Sequence, residues 1–258
     1  MYKRQPEYLL VASKFKTYEE FIKQEFLTYE GYFYREPYFL LSQEFKEIRI
    51  YFSILNAIAY GNTKPSEIAN FVGIKTREIY PYLELLNTYG FITREKHLLK
   101  EKVGIYLIKD CFFDFWFNFV HKNRELIERR CYELNKEKIN TYLGKRFEIF
   151  IKENFYYFFK SFTKIGKWWH KDKEIDILAI NEKTKHLLAC ECKWQSKVNA
   201  EKVARELAEK VKFVQWCKGK RKESFAIFAK SFSKRIKQFE SKPVYCFDLK
   251  DLRRTMKK

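Results

Sequence analysis

Residues 174–194 read EIDILAINEKTKHLLACECKW, and this stretch decides the fold of the second half of the chain. It contains two bulky, largely apolar runs, residues 174–181 and 186–194, separated by the polar turn 182–185. Runs of this length that are bounded by polar turn residues are typical of strands. The stretch therefore predicts two neighbouring strands of a sheet, although both runs carry acidic residues and the second also carries a lysine.

The charged residues of these runs fall at defined positions on the predicted strands. Because successive side chains point to opposite faces, Glu191 and Lys193 share one face of the second strand. In the first strand, Glu174 and Asp176 are expected on one face. The opposite face is expected to carry Ile175, Ile177 and Ala179. If the two strands pair as a hairpin, Asp176 lies across from Glu191 and Lys193, and one face gathers two carboxylates and an ammonium group.

Such a cluster is costly to bury unless the charges pair or bind an ion. Oxygens of Asp176 and Glu191 are the ligands that a hard divalent cation such as Mg²⁺ requires, with water at the remaining positions. A bound ion of this kind polarises a phosphodiester, and Lys193 can orient a water or balance phosphate charge. Glu148, near the apolar stripe of the preceding predicted helix, is a fourth candidate. The alternative is a simple ion pair between Glu191 and Lys193 at a sheet edge, with Asp176 capping the hairpin.

The charge of the chain is strongly basic and unevenly distributed. Lys and Arg number 52 against 33 Asp and Glu, a formal net charge of +19. Residues 1–45 hold 6 basic and 7 acidic residues, whereas residues 195–258 hold 19 basic and 7 acidic residues. A one-sided basic excess in a folded chain is typical of a protein that binds a polyanion, above all nucleic acid. A Lys- and Glu-rich surface of thermophilic type explains many of the charges but not this asymmetry.

Other features of the composition exclude several classes of protein. A hydrophobic content of 46% and an aromatic content of 19% exclude a disordered chain. No apolar run has the length of a membrane span and no signal-peptide pattern is present, so we expect a cytoplasmic protein without membrane association. Six cysteines occur without a CxxC pair. Cys190 and Cys192 share one face of the second strand, which favours small buried thiols over zinc ligands or disulfides.

Residues 46–110 show the element order of a winged helix-turn-helix domain. A first helix over 46–60 has apolar residues at helical spacing and is followed by a glycine. A second helix is expected to be capped by Thr63 and to direct Ile68 and Phe71 inward.

The third helix of this domain is predicted over residues 75–90, with an apolar stripe formed by Ile79, Leu83 and Leu86. Pro81 bends this helix unless the helix begins later than residue 75. Two runs typical of strands follow, residues 91–95 and 103–108, joined by a basic turn. Helix, helix, turn, helix and hairpin is the winged helix order.

The winged helix domain predicts a nucleic-acid interface. The third helix would offer Lys75, Thr76, Arg77 and Tyr80 to a duplex. The wing would offer Lys96, Lys100 and Lys102. Winged helices also dock proteins, and these residues are then ordinary surface side chains.

The remaining segments complete four predicted regions. Residues 1–45 are predicted to form an aromatic, helical lead-in. Residues 111–140 are predicted to form an aromatic and helical connector between the winged helix domain, residues 46–110, and the last region. Residues 141–258 predict helix, three strands, helix, strand, a short helix around residues 234–239, strand and terminal helix. This order indicates a mixed α/β sheet flanked by helices.

A helix glutamate at Glu148, Asp176 at the start of one strand and Glu191-x-Lys193 on the next resemble the restriction-endonuclease-like PD-(D/E)XK nucleases. The resemblance implies a restriction-endonuclease-like mixed sheet over residues 141–258, following the winged helix-turn-helix domain. It also implies DNA cleavage with Mg²⁺ or Mn²⁺ held by Asp176 and Glu191, with the Cys192 carbonyl as a further ligand. Archaeal Holliday-junction resolvases carry a helix glutamate similar to Glu148.

A longer pattern is similar to the C-terminal half of an archaeal ATPase family, in which a P-loop ATPase precedes a winged helix and a nuclease-like domain. The resemblance covers roughly residues 25–258. The matching segments, in order, are the winged helix, FFDFWFNFV, GKRFE, IGKWWH, EIDILAIN and ECKW. The chain contains no GxxxxGK[ST], so we expect a truncated relative or a stand-alone derivative without ATPase activity.

The residues and the resemblance together predict a metal-dependent DNA endonuclease or a nuclease-like DNA-processing protein that hydrolyses phosphodiesters. One alternative is a catalytically inert DNA-binding or regulatory module. Another is an interaction arm for a separate P-loop ATPase, served by the aromatic residues 1–45. The aromatic surplus is also compatible with a homodimer.

Overall fold

The computed structural model describes residues 5–256, with side chains described for residues 7–100 and 104–256. Contacts divide the chain into two compact units. The first unit contains the residues up to Glu95 together with Gly104–Leu134. The second unit contains Lys96–Val103 and the residues from Asn135 onward.

The first unit begins with three helices that bury aromatic residues. They are α1 (Gln5–Ala12), α2 (Tyr18–Glu25) and α3 (Tyr32–Glu44). Phe26 stacks on Phe33 with ring centroids 4.8 Å apart. Tyr8 meets the edge of Phe33 at 4.9 Å. Phe26, Phe33 and Tyr34 of the aromatic lead-in are therefore buried, while other rings such as Tyr18 and Phe39 remain exposed.

A winged helix-turn-helix order follows in the elements that cross residues 48–108. They are α4 (Ile48–Ala59), α5 (Pro65–Val72), a 3₁₀ turn at Thr76–Glu78, α6 (Tyr80–Thr88), β1 (Ile92–His97) and β2 (Lys100–Ile108). The predicted stripe of the third helix is confirmed, because Ile79, Leu83 and Leu86 are fully buried. Pro81 causes no bend, since α6 begins at Tyr80 and the proline lies in its first turn.

Two predictions for the second helix are wrong. Its N-cap is Lys64 rather than Thr63. The side chain of Glu67, the third residue of the helix, accepts hydrogen bonds from the backbone N–H groups of both residues, at 3.1 Å each, which is the reverse half of a capping box. Phe71 is not directed inward. It is 46% exposed, and its ring lies 5.9 Å from that of Tyr60 on the surface.

The aromatic run 111–120 forms α7 (Cys111–Phe115) and a π-helical turn, Trp116–Val120, followed by a 3₁₀ turn, His121–Asn123, and by α8 (Arg124–Glu128). Its side chains are buried against the lead-in and α4. The Trp116 indole N–H donates to the Tyr34 carbonyl at 2.9 Å, and Phe117 lies 4.9 Å from Phe52. Within the first unit, this run therefore joins the lead-in helices to the winged helix.

The second unit is a mixed sheet between helices. Its chain order is α9 (Lys136–Glu153), a 3₁₀ turn at Phe155–Tyr157, β3 (Lys164–His170), β4 (Lys173–Asn181), β5 (His186–Lys193), β6 (Val198–Asn199), α10 (Ala200–Val211), β7 (Lys222–Ala229), β8 (Phe232–Lys234), β9 (Gln238–Phe239), β10 (Lys242–Phe247) and α11 (Leu249–Met256). The strands lie in the order β3-β4-β5-β7-β10-β9. The predicted class, a winged helix followed by a mixed α/β sheet with flanking helices, is confirmed.

The start of β4 and the end of β5 lie side by side inside this sheet, because the two strands are antiparallel neighbours. β3, β4 and β5 pair in antiparallel fashion, while β5 pairs with β7 and β7 with β10 in parallel. Beyond β3, His97 pairs in parallel with Lys167, and the Leu98 N–H donates to the Lys167 carbonyl at 3.0 Å. Two small strands, β6 and β8, form a separate pair. The predicted short helix around residues 234–239 is wrong, because this segment contains the ends of β8 and β9 instead.

The two faces of the sheet are covered by different helices. On β5, Leu187 and Ala189 pack in a core that includes α10, whereas Leu188, Cys190 and Cys192 pack in a core that includes α9. The alternation predicted for this strand is confirmed.

The alternation predicted for β4 is wrong at one point. Ile177 and Ala179 lie in the core beneath α9, but Ile175 lies in the core beneath α10. The cause is a shift in register, because β4 has an extra residue opposite β3 between the pairs Gly166–Leu178 and Trp168–Ile175. This β-bulge includes the position of Asp176.

The C-terminal end of α10 is held by a buried arginine. The guanidinium group of Arg221 donates to the carbonyls of Val211, Val214 and Trp216 at 2.7–2.9 Å. It also pairs with Glu223 at 2.8 Å, and its side chain is only 4% exposed. Arg221 therefore fixes the end of the helix that carries Lys210.

Replacement of Arg221 by alanine is expected to lower the free energy of unfolding by about 3–5 kcal/mol, because three backbone carbonyls lose their donor and Glu223 keeps only Lys242, at 2.8 Å, of the cations it pairs with. Urea denaturation measures the change. Arg253→Ala, at an exposed position of α11, is the control and is expected to be nearly neutral. Equal stability of the two variants would contradict the role given to Arg221.

Candidate active site

Four of the predicted site residues come from three elements that meet at the ends of β4 and β5. Asp176 lies in β4, Glu191 and Lys193 in β5, and Glu148 in α9. Asp176 is 8% exposed and Glu191 is 5% exposed. Burial of two carboxylates so close together is unusual unless compensating groups are present.

Of the carboxylates in this cluster, Asp176 has the fewest positive charges or hydrogen-bond donors close to it. One of its carboxylate oxygens accepts a hydrogen bond from the backbone N–H of Cys192 at 2.8 Å. Burial, reinforced by the negative charges of Glu191 and Glu148, nevertheless raises the pKa of Asp176 to about 8. Near neutral pH, this carboxyl group is therefore largely protonated unless a positive charge is brought to it.

Glu191 is neutralised by two lysines. Lys193 Nζ lies 2.7 Å from one of its oxygens, and Lys210 Nζ lies 2.9 Å from the other. Burial lowers the pKa of Lys193, but attraction by Glu191 and Asp176 outweighs burial and raises that pKa above its ordinary value. Lys193 is therefore an ammonium group at neutral pH and a hydrogen-bond donor only.

Glu148 faces a lysine that sequence reasoning missed. Lys167 in β3 lies 3.8 Å from Glu148 and 3.2 Å from Glu174. Burial lowers the pKa of Lys167, but attraction by Glu148, Glu174 and Asp176 outweighs burial and raises it. Lys167 is thus a permanent positive charge beside the carboxylates.

Both missed lysines had weak signals in the sequence. Lys167 interrupts the apolar run IGKWWH, which is an unusual place for a charge in a central strand. Lys210 follows Leu207 at helical spacing along the inward stripe of α10. Neither signal identifies a partner, because the partners come from distant segments.

The cluster receives side chains from helices on both faces of the sheet. Glu148 belongs to α9, whose Phe147 and Ile151 pack on one face. Lys210 belongs to α10, whose Leu207 and Val211 pack on the other. At the strand ends, groups from both sides of the sheet can therefore converge.

The donor chemistry of this cluster fits a hard divalent cation. Mg²⁺ is held in proteins by one or two carboxylates, with water and substrate phosphate completing its shell. Asp176 and Glu191 supply two such carboxylates, and the raised pKa of Asp176 reflects the deficit of positive charge that a cation would relieve. Within the part of the chain that the structure describes, no group of three or more His, Cys, Asp or Glu side chains is arranged to hold a metal ion. A cation at Asp176 and Glu191 would therefore need water, backbone or substrate oxygens as its remaining ligands.

The two cysteines near the cluster are unsuited to bind a metal through sulfur. Cys190 and Cys192 are buried, and burial raises the pKa of both thiols well above the ordinary value. Protonated thiols are poor ligands. Any contribution of Cys192 is therefore through its backbone.

The predicted nucleic-acid residues of the third helix lie together on the surface. Lys75, Thr76, Arg77 and Tyr80 are all exposed, at the 3₁₀ turn and the first residue of α6. Arg77 makes only a long contact, 3.8 Å, with its neighbour Glu78. These side chains are available to a partner.

The predicted wing residues have a different setting. Lys96 and Lys100 are exposed, whereas the side chain of Lys102 lies outside the described residues. Between the first two, His97 is 2% exposed, and one of its ring nitrogens lies 3.1 Å from the Trp169 carbonyl. The segment Lys96–Val103 is thus packed into the second unit, which limits how deeply this hairpin tip can enter a groove of a nucleic acid.

Among the described residues, no helix is long and apolar enough to cross a membrane.

Comparison with known proteins shows that the chain is similar to a family model and to an archaeal protein. Residues 116–205 match the model of the DUF234 family, described as "Archaea bacterial proteins of unknown function". An uncharacterized protein of Methanocaldococcus jannaschii is 33% identical over 245 residues. The match covers 90% of this chain and 54% of the relative, so the chain spans about half the length of that protein.

Two solved structures are similar to parts of the chain. The transcriptional regulator SlyA has 15% sequence identity and a TM-score of 0.26, covering 48% of this chain and 89% of the regulator. A transcriptional regulator from Thermotoga maritima has 20% identity and a TM-score of 0.23, covering 47% and 93%. Scores this low establish no shared fold.

The raised pKa of Asp176 predicts a specific dependence of stability on pH. An unfolded aspartate has a pKa of about 3.9, so between about pH 4 and pH 8 the folded state holds a proton that the unfolded state has released. The stabilising protonation is complete below that range and is lost as the pH rises through about 8. In metal-free buffer, the stability advantage of Asp176→Asn over the wild type should increase by more than about 1 kcal/mol between pH 5 and pH 8.5.

The control for this measurement is Asp172→Asn. Asp172 is 80% exposed at the turn before β4, and its pKa is lowered by a hydrogen bond with its own backbone and by Lys173. Its replacement should produce no increase in relative stability as the pH rises. A parallel response of the two variants in urea denaturation would show that Asp176 has no raised pKa.

Proposed function

We propose that the chain is a metal-dependent DNA endonuclease or nuclease-like DNA-processing protein that hydrolyses phosphodiester bonds. The observation that carries this proposal is the buried group formed by Asp176, Glu191 and Lys193 at adjacent strand ends. Glu148 and Lys167 lie next to it. A structural ion pair has no need of two further carboxylates beside one buried, undercompensated aspartate.

Asp176 and Glu191 would hold Mg²⁺ or Mn²⁺, with the Cys192 carbonyl as a further ligand. When bound, such an ion supplies a polarised phosphate and a water of lowered pKa. Glu191 would give up part of its pairing with Lys193 and Lys210 for this role. The freed ammonium groups would then be available to balance the negative charge of the phosphate.

Lys193 would act as a donor and a charge, not as a base. Its raised pKa keeps the ammonium group protonated at neutral pH. In that state it can orient the attacking water through the water oxygen, or balance the charge that builds on the phosphate. In the hydrolysis, a bond forms between the water oxygen and phosphorus, and one bridging P–O bond breaks. The water loses one proton and the leaving oxygen gains one.

Glu148 would support a ligand water or a second ion. Its side chain is 31% exposed, whereas that of Glu191 is 7% exposed. The exposed residues at the start of α6 and the basic C-terminal region would hold the duplex.

Cleavage is expected from wild-type protein incubated with Mg²⁺ or Mn²⁺ and a panel of plasmid, single-stranded and branched DNA. Asp176→Asn should reduce the rate by at least about 100-fold through loss of a charged ligand, and Lys193→Ala by at least about tenfold through loss of a donor. Gel electrophoresis of end-labelled substrates measures both.

The matched control is Lys202→Ala, which removes an exposed lysine from α10 outside the cluster. It should cut at the wild-type rate. If wild type, Asp176→Asn and Lys193→Ala all cleave equally, the activity does not belong to this site.

A catalytically inert DNA-binding or regulatory module is the second candidate. The observation in its favour is that both oxygens of Glu191 are already satisfied by lysines. In that case the cluster is a structural remnant, and the exposed start of α6 carries the function.

Both candidates predict DNA binding through the start of α6. A Lys75→Ala, Arg77→Ala double variant removes two phosphate contacts, so its plot of log affinity against log salt should be shallower by about 2. Fluorescence anisotropy with a labelled duplex measures this slope. Lys46→Ala with Arg49→Ala, both exposed at α4, is the matched control and should keep the wild-type slope. An unchanged slope in the first variant would remove α6 from the interface.

A further inference from the structure

A polar pocket adjoins the candidate active site and, apart from Cys192 and Lys193, is lined by residues that have no role above. It is lined by Asn140, Thr141, Gly144, Cys192, Lys193, Trp194, Gln195 and Lys230, and its volume is about 440 Å³. Pockets for small ligands have volumes of about 300–1,000 Å³, so this one suits a single nucleotide rather than a long stretch of strand. Cys192 and Lys193 make it continuous with the candidate catalytic residues.

The lining of this pocket favours an anion. None of the eight lining residues is acidic, and two of them are lysines. Lys193 is partly neutralised by Glu191, but among the described residues no carboxylate pairs with Lys230. Amide groups of Asn140 and Gln195 lie exposed at the rim and can donate hydrogen bonds. A phosphate group satisfies donors and cations of this kind together.

The side chain of Trp194 gives a second, independent reason to expect a ligand with acceptor oxygens in this pocket. Its indole N–H is buried and has no acceptor among the described residues. An unsatisfied buried donor is unfavourable, and an acceptor oxygen brought by a ligand would satisfy it. The ring is held in place between Phe147, at 5.3 Å, and the Lys230 ammonium, at 5.0 Å.

The backbone around the pocket fixes these groups. The Lys230 N–H donates to the Gln195 carbonyl at 3.0 Å, and the Gln195 N–H donates to the Lys193 carbonyl at 2.7 Å. Gly144 keeps the α9 side of the pocket open, since a Cβ atom there would meet only the Cβ atom of Trp194, at 3.8 Å. An alanine is therefore tolerated at this position, whereas a larger side chain would project into the pocket.

We propose that this pocket holds one unpaired nucleotide, with its phosphate and base enclosed, next to the scissile phosphate, so that the substrates are strand ends, flaps or single strands rather than continuous duplex. This inference rests on the proposed nuclease function. A nucleotide enclosed in a pocket must leave the base stack, and unstacking costs least where the nucleotide is already unpaired. Lys230 and the Trp194 N–H recognise the phosphate, and Lys193 lies between this phosphate and the one that reacts.

Binding of thymidine 5′-monophosphate in EDTA, measured by calorimetry, tests the pocket without any cleavage. The nucleotide should bind wild type at least tenfold more tightly than thymidine does. Lys230→Gln should weaken nucleotide binding by at least tenfold, and Gly144→Leu should abolish it. Gly144→Ala and Lys202→Gln are the controls, and both should bind as the wild type does. Equal binding by all variants, or no preference for the monophosphate, would overturn the inference.

Cleavage assays separate this inference from the proposed function. Single-stranded and flap DNA should be cut at least tenfold faster than closed circular duplex, and Lys230→Gln should reduce that preference. Cleavage of all three at equal rates would refute the pocket's role while leaving the nuclease in place. Nucleotide binding as described, with no cleavage of any DNA, would support the pocket and refute the nuclease.

Discussion

The burial of Asp176 beside two other carboxylates is the constraint on which the second unit depends. Its pKa of about 8 means that a proton or a cation must accompany it near neutral pH. A chain selected for stability alone has a simpler solution, an apolar residue at this position. The neighbouring lysines relieve Glu191 and Glu148 directly, whereas Asp176 receives one backbone N–H and the distant charge of Lys167. The proposed divalent ion would relieve this local imbalance.

The surrounding helices and strands position the positively charged side chains that lie beside these carboxylates. α10 delivers Lys210 to Glu191, and the buried guanidinium of Arg221 secures the end of that helix. β3 delivers Lys167, whose carbonyl is bound by the N–H of Leu98. The mixed sheet brings α9 and α10 to opposite faces of the same strand ends. Charged groups from sequence positions far apart can therefore meet there while the sheet remains apolar.

Much of this arrangement could be predicted from the sequence, because strands and helices each have a characteristic period of apolar residues. The alternation of β5, the stripe of α6 and the carboxylate positions in β4 and β5 all follow from local patterns. The bulge at Asp176 could not be predicted, since it depends on register with β3. The lysine partners Lys167 and Lys210 were missed for the same reason, because pairing between distant segments has no local signature. Segments with weak patterns, such as residues 234–239, were assigned the wrong element.

The central claim is that Asp176 and Glu191 together hold a divalent ion, and a crystal soaked in Mn²⁺ tests it most directly. The account predicts an anomalous difference peak within about 2.0–2.6 Å of an oxygen of each carboxylate. It also predicts displacement of at least one lysine from Glu191. A soaked crystal that shows no anomalous peak at this position, or manganese bound only elsewhere, would contradict the account.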